Sequence, residues 1–195
     1  MNGEHGDEAA RRAPAAAKLP RIDLRKLTAA GVAARREAVA VLGDALREQG
    51  GVRVEGHGAE AGEAAVLAIV ADHLLEALAE YFGLDARAFV DAVGALAGSA
   101  GMVGLAAQVP RALLVLVPDA PPPLEVRGGE GGAWAAAGAR AGELVVLSGG
   151  ALHALTGGVV PAAMARCTGC DGLRAVAVRS GEAAPPPLAA FGGPP

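Results

Sequence analysis

Aromatic side chains are scarce in this 195-residue sequence, which holds three Phe, one Tyr and one Trp. Large side chains supply much of the transfer free energy of a core. A hydrophobic content of 52%, with alanine its commonest member, therefore predicts a thin core. Two cysteines are too few for a disulfide framework. There is no basic excess either: 17 Lys and Arg face 21 Asp and Glu, a net charge of −4. That excludes a mainly electrostatic nucleic-acid binder, which needs a positive face. No apolar run reaches the roughly 18–20 residues that span a bilayer; the best, Met102 to Val117, is broken by Gln108, Pro110 and Arg111. Glu4, Asp7 and Glu8 precede any apolar run, so the amino terminus does not read as a secretory signal. The expectation is a cytoplasmic protein with no membrane and no nucleic-acid partner.

Glycine and proline are abundant, 29 and 13 residues, and they punctuate the chain. Residues 1–18 are small, polar and Pro-containing, and read as a disordered leader. LPRIDLRKL (19–27) alternates Ile22 and Leu24 with charges, a short strand. From Ala33 to Gln49, Val39, Leu42 and Leu46 recur at helical spacing until Gly50-Gly51 stops the helix, and VRVEGHG follows as strand and turn. A second helix over 62–82 carries the stripe Val66, Ile69, Val70, Leu74, Leu78 and Phe82 and ends at Gly83. LDARAFVDAV (84–93) gives a third, with Asp85 as a cap for the turn that follows Leu84. Beyond Gly98, ALLVLV, LEV, ELVVL and LRAVAV read as strands between Gly- and Pro-rich turns, with SGG (148–150) as a hairpin turn. The layout is α+β: a helical region over 19–98, a β-rich region over 99–180, and a loose Pro/Gly tail over 181–195 that Phe191 can anchor.

Isolated motifs carry little chemistry. Cys167-Thr168-Gly169-Cys170 can form a redox pair or half a zinc site, but no second ligand pair accompanies it, and its glycines read as a turn. Asp72, His73 and Glu76 lie on one helix at a spacing that could touch a metal, although a solvated helical face accounts for them. His153 reads as a hydrogen-bonded loop histidine. GGEGGA (128–133) is not a phosphate loop, and Ser148 lacks a nucleophile elbow.

Four blocks in order give a wider signal. LPRIDLRKL (19–27), the run from Val39 to Gly58, GLAAQVPRALLVLVPDAPPPLEV (104–126) and AGELVVLSGGALHALTGGVVPAAMARC (141–167) resemble the isopenicillin N synthase-like branch of the 2-oxoglutarate- and Fe(II)-dependent oxygenases. Trp134 stands where that family often has a tryptophan. The resemblance implies a double-stranded β-helix (jelly roll) behind helices, with His57 structural in its HG turn. It implies Fe(II) and 2-oxoglutarate as cofactors, the iron held by two His and one carboxylate.

The residues at those positions differ. The H-x-D tripeptide reads Gln108-Val109-Pro110, and the distal histidine position before Arg166 is Ala165. Arg174 matches the arginine that holds 2-oxoglutarate, but Val176 replaces its serine partner. The segment between Gly58 and Gln108 is much shorter than in the family, which implies an incomplete roll. The expectation is a degenerate oxygenase-like protein without iron-dependent catalysis or bound cofactor, which binds a small carboxylate at Arg174 or a protein partner. Two alternatives stand beside it: an active oxygenase with a displaced metal site at His153, Cys167, Cys170 or the Asp72/His73/Glu76 cluster, and an interaction module built on the helical front.

Overall fold

The spacing of Val39, Leu42 and Leu46 produces helix α2 (Val32–Gln49), which buries those three with Ala38, Gly43 and Ala45. In the computed structural model the described residues are 18–28, 31–58, 64–94, 101–102, 111–118, 124–129, 132–167, 173–180 and 187–191. Gly50 ends α2 in the left-handed conformation, φ 68°, with its N–H on the Leu46 carbonyl. Before α2 stand a short strand β1 (Arg21–Asp23) and one helical turn α1 (Leu24–Thr28). Only the first half of LPRIDLRKL is thus extended, because Asp23 Oδ1 accepts the Arg25 N–H at 3.0 Å and starts the turn. Strand β2 (Gly51–Glu55) follows α2.

Helix α3 (Ala64–Tyr81) buries Leu67, Val70, Ala71, Leu74, Leu75, Ala77, Leu78 and Ala79, while Ile69 is 58% exposed. The expected stripe is therefore rotated: small alanines widen the contact face and turn Ile69 outward. At its end the N–H groups of Gly83 and Leu84 donate to Glu80 and Ala79 carbonyls, with Gly83 at φ 69°. Asp85 caps the turn after Leu84 as expected, its side chain accepting the Arg87 N–H at 2.9 Å, and helix α4 (Ala88–Gly94) starts beyond that turn.

The remaining strands are β3 (Gly101–Met102), β4 (Arg111–Pro118), β5 (Leu124–Gly128), β6 (Ala135–Ala136), β7 (Leu144–Ser148), β8 (Ala163–Cys167) and β9 (Leu173–Ser180). They form a six-stranded sheet, β1-β2-β7-β4-β9-β3, and a three-stranded sheet, β6-β5-β8. Among the described strands only β1 and β2 pair in parallel. The helical front and the β-rich region are not separate layers in sequence. β2 pairs with β7, Val52 opposite Val146, so the first strands complete a sheet made mainly from the second region.

Both faces of the large sheet are covered, which is why ALLVLV and ELVVL read as unbroken apolar runs. Leu113, Val115, Val117, Leu144 and Val146 face the helices, in a core with Leu42, Leu74, Leu78 and Phe89. Leu116, Val145 and Leu147 face the small sheet and meet Leu124 and Val126 there. The architecture is mixed α/β in three layers: helices, large sheet, small sheet.

One local expectation is corrected. The segment SGG is not a hairpin turn: Gly149, at φ −106°, caps a short helix α5 (Gly150–Leu155) that buries Leu152 and Leu155 against the helix-side core. Within the tail, residues 187–191 are docked, with Phe191 as the expected anchor. Leu188 donates its N–H to the Leu155 carbonyl at 2.9 Å, and the Phe191 ring packs edge-on to Phe82 at 5.1 Å.

Because β2 depends on β7, a fragment of residues 19–95 is expected not to fold alone. Circular dichroism of that fragment should show no cooperative melt. A cooperative transition would restore the helical front as an independent module. A second test concerns Gly128 at the end of β5, where a Cβ would lie 2.8 Å from the Gln49 carbonyl carbon. Backbone cannot rotate away, so Gly128→Ala is expected to destabilise by about 1–3 kcal/mol, measured by urea denaturation.

Candidate functional site

The space between the two sheets is where the fold brings the C-terminal motif together with the strands around it. In the small sheet Leu124 pairs with Cys167, Val126 with Ala165 and Gly128 with Ala163. Alternation along each strand sends these residues inward, since successive side chains point to opposite faces. Ala163, Ala165 and Cys167 pack on Leu19, Leu116, Leu124, Val126, Val145 and Leu147. Glu125, Arg127, Met164 and Arg166 take the outer face. There the Arg166 guanidinium donates to Glu125 at 2.7 Å and lies 4.2 Å from the centre of the Trp134 ring, with Arg127 at 5.0 Å.

The interior is not wholly apolar. Arg53 on β2 and Glu143, which precedes β7, form a buried pair at one end of it, with the Glu143 side chain 5% exposed. Arg53 donates from Nε to the Leu19 carbonyl and from Nη1 to the Gly138 carbonyl, at 2.8 and 2.9 Å. Glu143 Oε2 accepts the Arg140 N–H at 2.9 Å and lies 3.4 Å from Arg53 Nη1. Neither residue stands out as a motif. The available signal is a charge inside the apolar strand VRV and another at the start of ELVVL.

Among the described residues, those singled out by sequence do not converge. His57 Nε2 lies 3.0 Å from the Gly142 carbonyl and ties the HG turn to the start of β7, a structural place. His153 is hydrogen-bonded, its Nδ1 2.9 Å from the Val160 carbonyl, but it stands in α5 and not on the loop expected for it. His73 lies 3.5 Å from Glu76, whose other oxygen accepts from Arg87 at 2.9 Å. Cys167 is disulfide-bonded and so not a thiolate donor in this form; the other cysteine of the sequence, Cys170, lies outside the described residues. Gln108 and Pro110 also lie outside them, as does the side chain of Arg174. In the backbone ladder Arg174 stands opposite Val117, and Ala175 opposite Leu116. Among the described residues no group of three or more His, Cys, Asp or Glu is placed to hold a metal ion. No helix among them is long and apolar enough to cross a membrane.

No family model and no curated protein sequence matches the chain. Solved structures do. A 2OG-Fe(II) oxygenase family protein from Caulobacter crescentus superposes with a TM-score of 0.64 at 12% identity, over 85% of this chain and 87% of its own. The chain has a 2OG-Fe(II) oxygenase fold. Dioxygenase for auxin oxidation 1 from Arabidopsis thaliana, in a binary complex with 2-oxoglutarate, gives 0.64 at 13% identity, over 89% of this chain and 99% of its own. The rice dioxygenase for auxin oxidation gives 0.62 at 16%, over 89% and 87%.

The oxygenase fold implies Fe(II), and the described residues do not fit that ion. Ala165, where the sequence resemblance puts the distal histidine, has no donor atom and packs, partly buried, among aliphatic side chains. The nearest charges on its strands, Arg166 and Glu125, pair with each other on the outer face. A divalent cation stripped of water needs several oxygen or nitrogen ligands to offset its desolvation.

Proposed function

We propose that this chain is an oxygenase-fold protein that does not carry out iron-dependent oxidation and acts by binding. The observation that carries this reading is Ala165, an inward aliphatic position where the resemblance puts a ligand histidine. Gln108 and Pro110 at the other two ligand positions support it: an amide is a weak neutral donor for Fe(II) and a proline side chain is none. The roll is read as incomplete, because the small sheet has three strands among the described residues. The bound species is a small carboxylate recognised by Arg174, or a protein partner.

The test is an anaerobic titration with Mn²⁺ and 2-oxoglutarate, following the melting temperature, beside an aerobic assay for succinate with Fe²⁺. A ligand at a hundred times its dissociation constant stabilises by about 2.7 kcal/mol, several degrees for a protein of this size. The expected results are no succinate and no shift that requires both additions. If 2-oxoglutarate alone raises the melting temperature and Arg174→Ala abolishes the rise, the small-carboxylate reading is chosen over the protein partner. Iron-dependent succinate formation would overturn the proposal.

A further inference from the structure

We infer that the outer face of the small sheet is a docking surface for the acidic head of this chain's own amino terminus, Glu4, Asp7 and Glu8. The inference goes beyond the functional reading above, since Arg174 stands on β9 of the large sheet and takes no part in it. Strand register and alternation build the surface. Ala136 stands in the row of Glu125 and Arg166, and Trp134, just before β6, continues the row of Arg127 and Met164. The indole lies against both guanidinium groups, with Arg166 4.2 Å and Arg127 5.0 Å from its centre. Arg166 has an anionic partner, Glu125. Among the described residues Arg127 forms no ion pair with a carboxylate. Its Nη2 donates to the Met164 sulfur, a weak acceptor, and its buried Nε has no hydrogen-bond partner. The face thus carries a guanidinium in excess of its described carboxylates, on a chain whose net charge is −4. A guanidinium that stacks on an indole and lacks an anion suits a carboxylate.

Position and reach select the occupant. Residues 1–17 lie outside the described residues, and the chain enters the described fold beside β6. There Leu19 is 1% exposed, and a Cβ on Gly138 would lie 2.9 Å from the Lys18 side chain. Trp134 is four residues before Gly138, about 13 Å along a strand, and β8 is two strand spacings, about 10 Å, across the sheet. Glu8 is ten residues before Lys18 and, extended, reaches about 33 Å, enough for any point on the face. Exposed charge contacts are individually weak, so an acidic peptide free in solution would bind poorly. A tether of this length raises the effective concentration to the order of millimolar, which favours the chain's own segment over a separate partner.

The experiment reads Trp134, the single tryptophan of the chain, by acrylamide quenching of its fluorescence in the full-length protein. The test variant combines Glu4→Gln, Asp7→Asn and Glu8→Gln, all outside the described residues. A tethered segment that covers the face about half the time or more should hold the parent's quenching constant at or below about half that of the variant. Salt at about 1 M, where the screening length falls to about 3 Å, should bring the parent to the variant's value. In an Arg127→Gln background the three amino-terminal substitutions should change nothing further, because the contact they remove is already gone. Equal quenching of parent and triple variant overturns the inference. So does a rise of the same size on Glu130→Gln alone, since the carboxylate between β5 and β6 would then be the partner of Arg127. A difference between parent and triple variant that vanishes on dilution overturns it as well, because the occupant would then be the amino terminus of a second copy.

Discussion

Arg53→Ala is expected to cost about 3–5 kcal/mol, because it leaves the Glu143 carboxylate buried without its cation. The Glu143 side chain is 5% exposed and that of Arg53 13%, so water cannot replace the lost guanidinium. Arg21 lies 3.8 Å from Glu143 Oε1, at the edge of the cluster, too far for a hydrogen bond. The Leu19 and Gly138 carbonyls would lose their donor as well. For a chain of this size roughly 2–4 °C of melting temperature go with each kcal/mol, so the loss should reach roughly 6–20 °C. The double variant Arg53→Met with Glu143→Leu separates the pair's net worth from the penalty of breaking it. Removing both charges at once leaves no orphan charge, although the Leu19 and Gly138 carbonyls and the Arg140 N–H lose their side-chain partners, so stability should return part of the way towards the parent. Equal destabilisation by single and double variants would mean that the two side chains act through packing and not through charge.

Much of the fold was legible, and what was legible follows from short-range physics. Helical spacing located α2 and α3, and the glycines at 50 and 83 ended them through left-handed backbone. Unbroken apolar runs located β4 and β7, since strands buried on both faces lose their alternation. The misreadings depend on partners distant in sequence. SGG looked like a turn until the burial of Leu152 and Leu155 is seen, which makes a helix there worthwhile. The pairing of β2 with β7 joins residues about ninety positions apart, and no local pattern announces it. At the candidate site, Ala165 was legible only through the resemblance, because nothing in an alanine advertises a missing ligand. Arg53 and Glu143 were missed for the opposite reason: single charges in strands are common on surfaces, and only tertiary structure buries these two.

Phe89→Ala is expected to be the most destabilising apolar truncation outside the sheets, at about 3–5 kcal/mol. The chain has five aromatic residues, and four of them meet at one end of α3. Phe89 is fully buried there, 6.2 Å from Phe82 in an edge-to-face arrangement and 6.3 Å from Phe191 in a stacked one. A core otherwise made of Leu, Val and Ala has few large side chains able to collapse into the space, so the cavity term should stay near its full size. Phe191 is half-buried and reaches the cluster from the far end of the chain, held by the Leu188–Leu155 hydrogen bond. Phe191→Ala should therefore cost less than Phe89→Ala. The two should be non-additive, with a coupling of about 0.5–3 kcal/mol, because their rings share partners. Urea denaturation of the four species in a double-mutant cycle measures this directly. Additive effects would show that residues 187–191 rest on the surface without contributing to the core, and the role of the C-terminal segment as a clasp on α4 and α5 would fall with them.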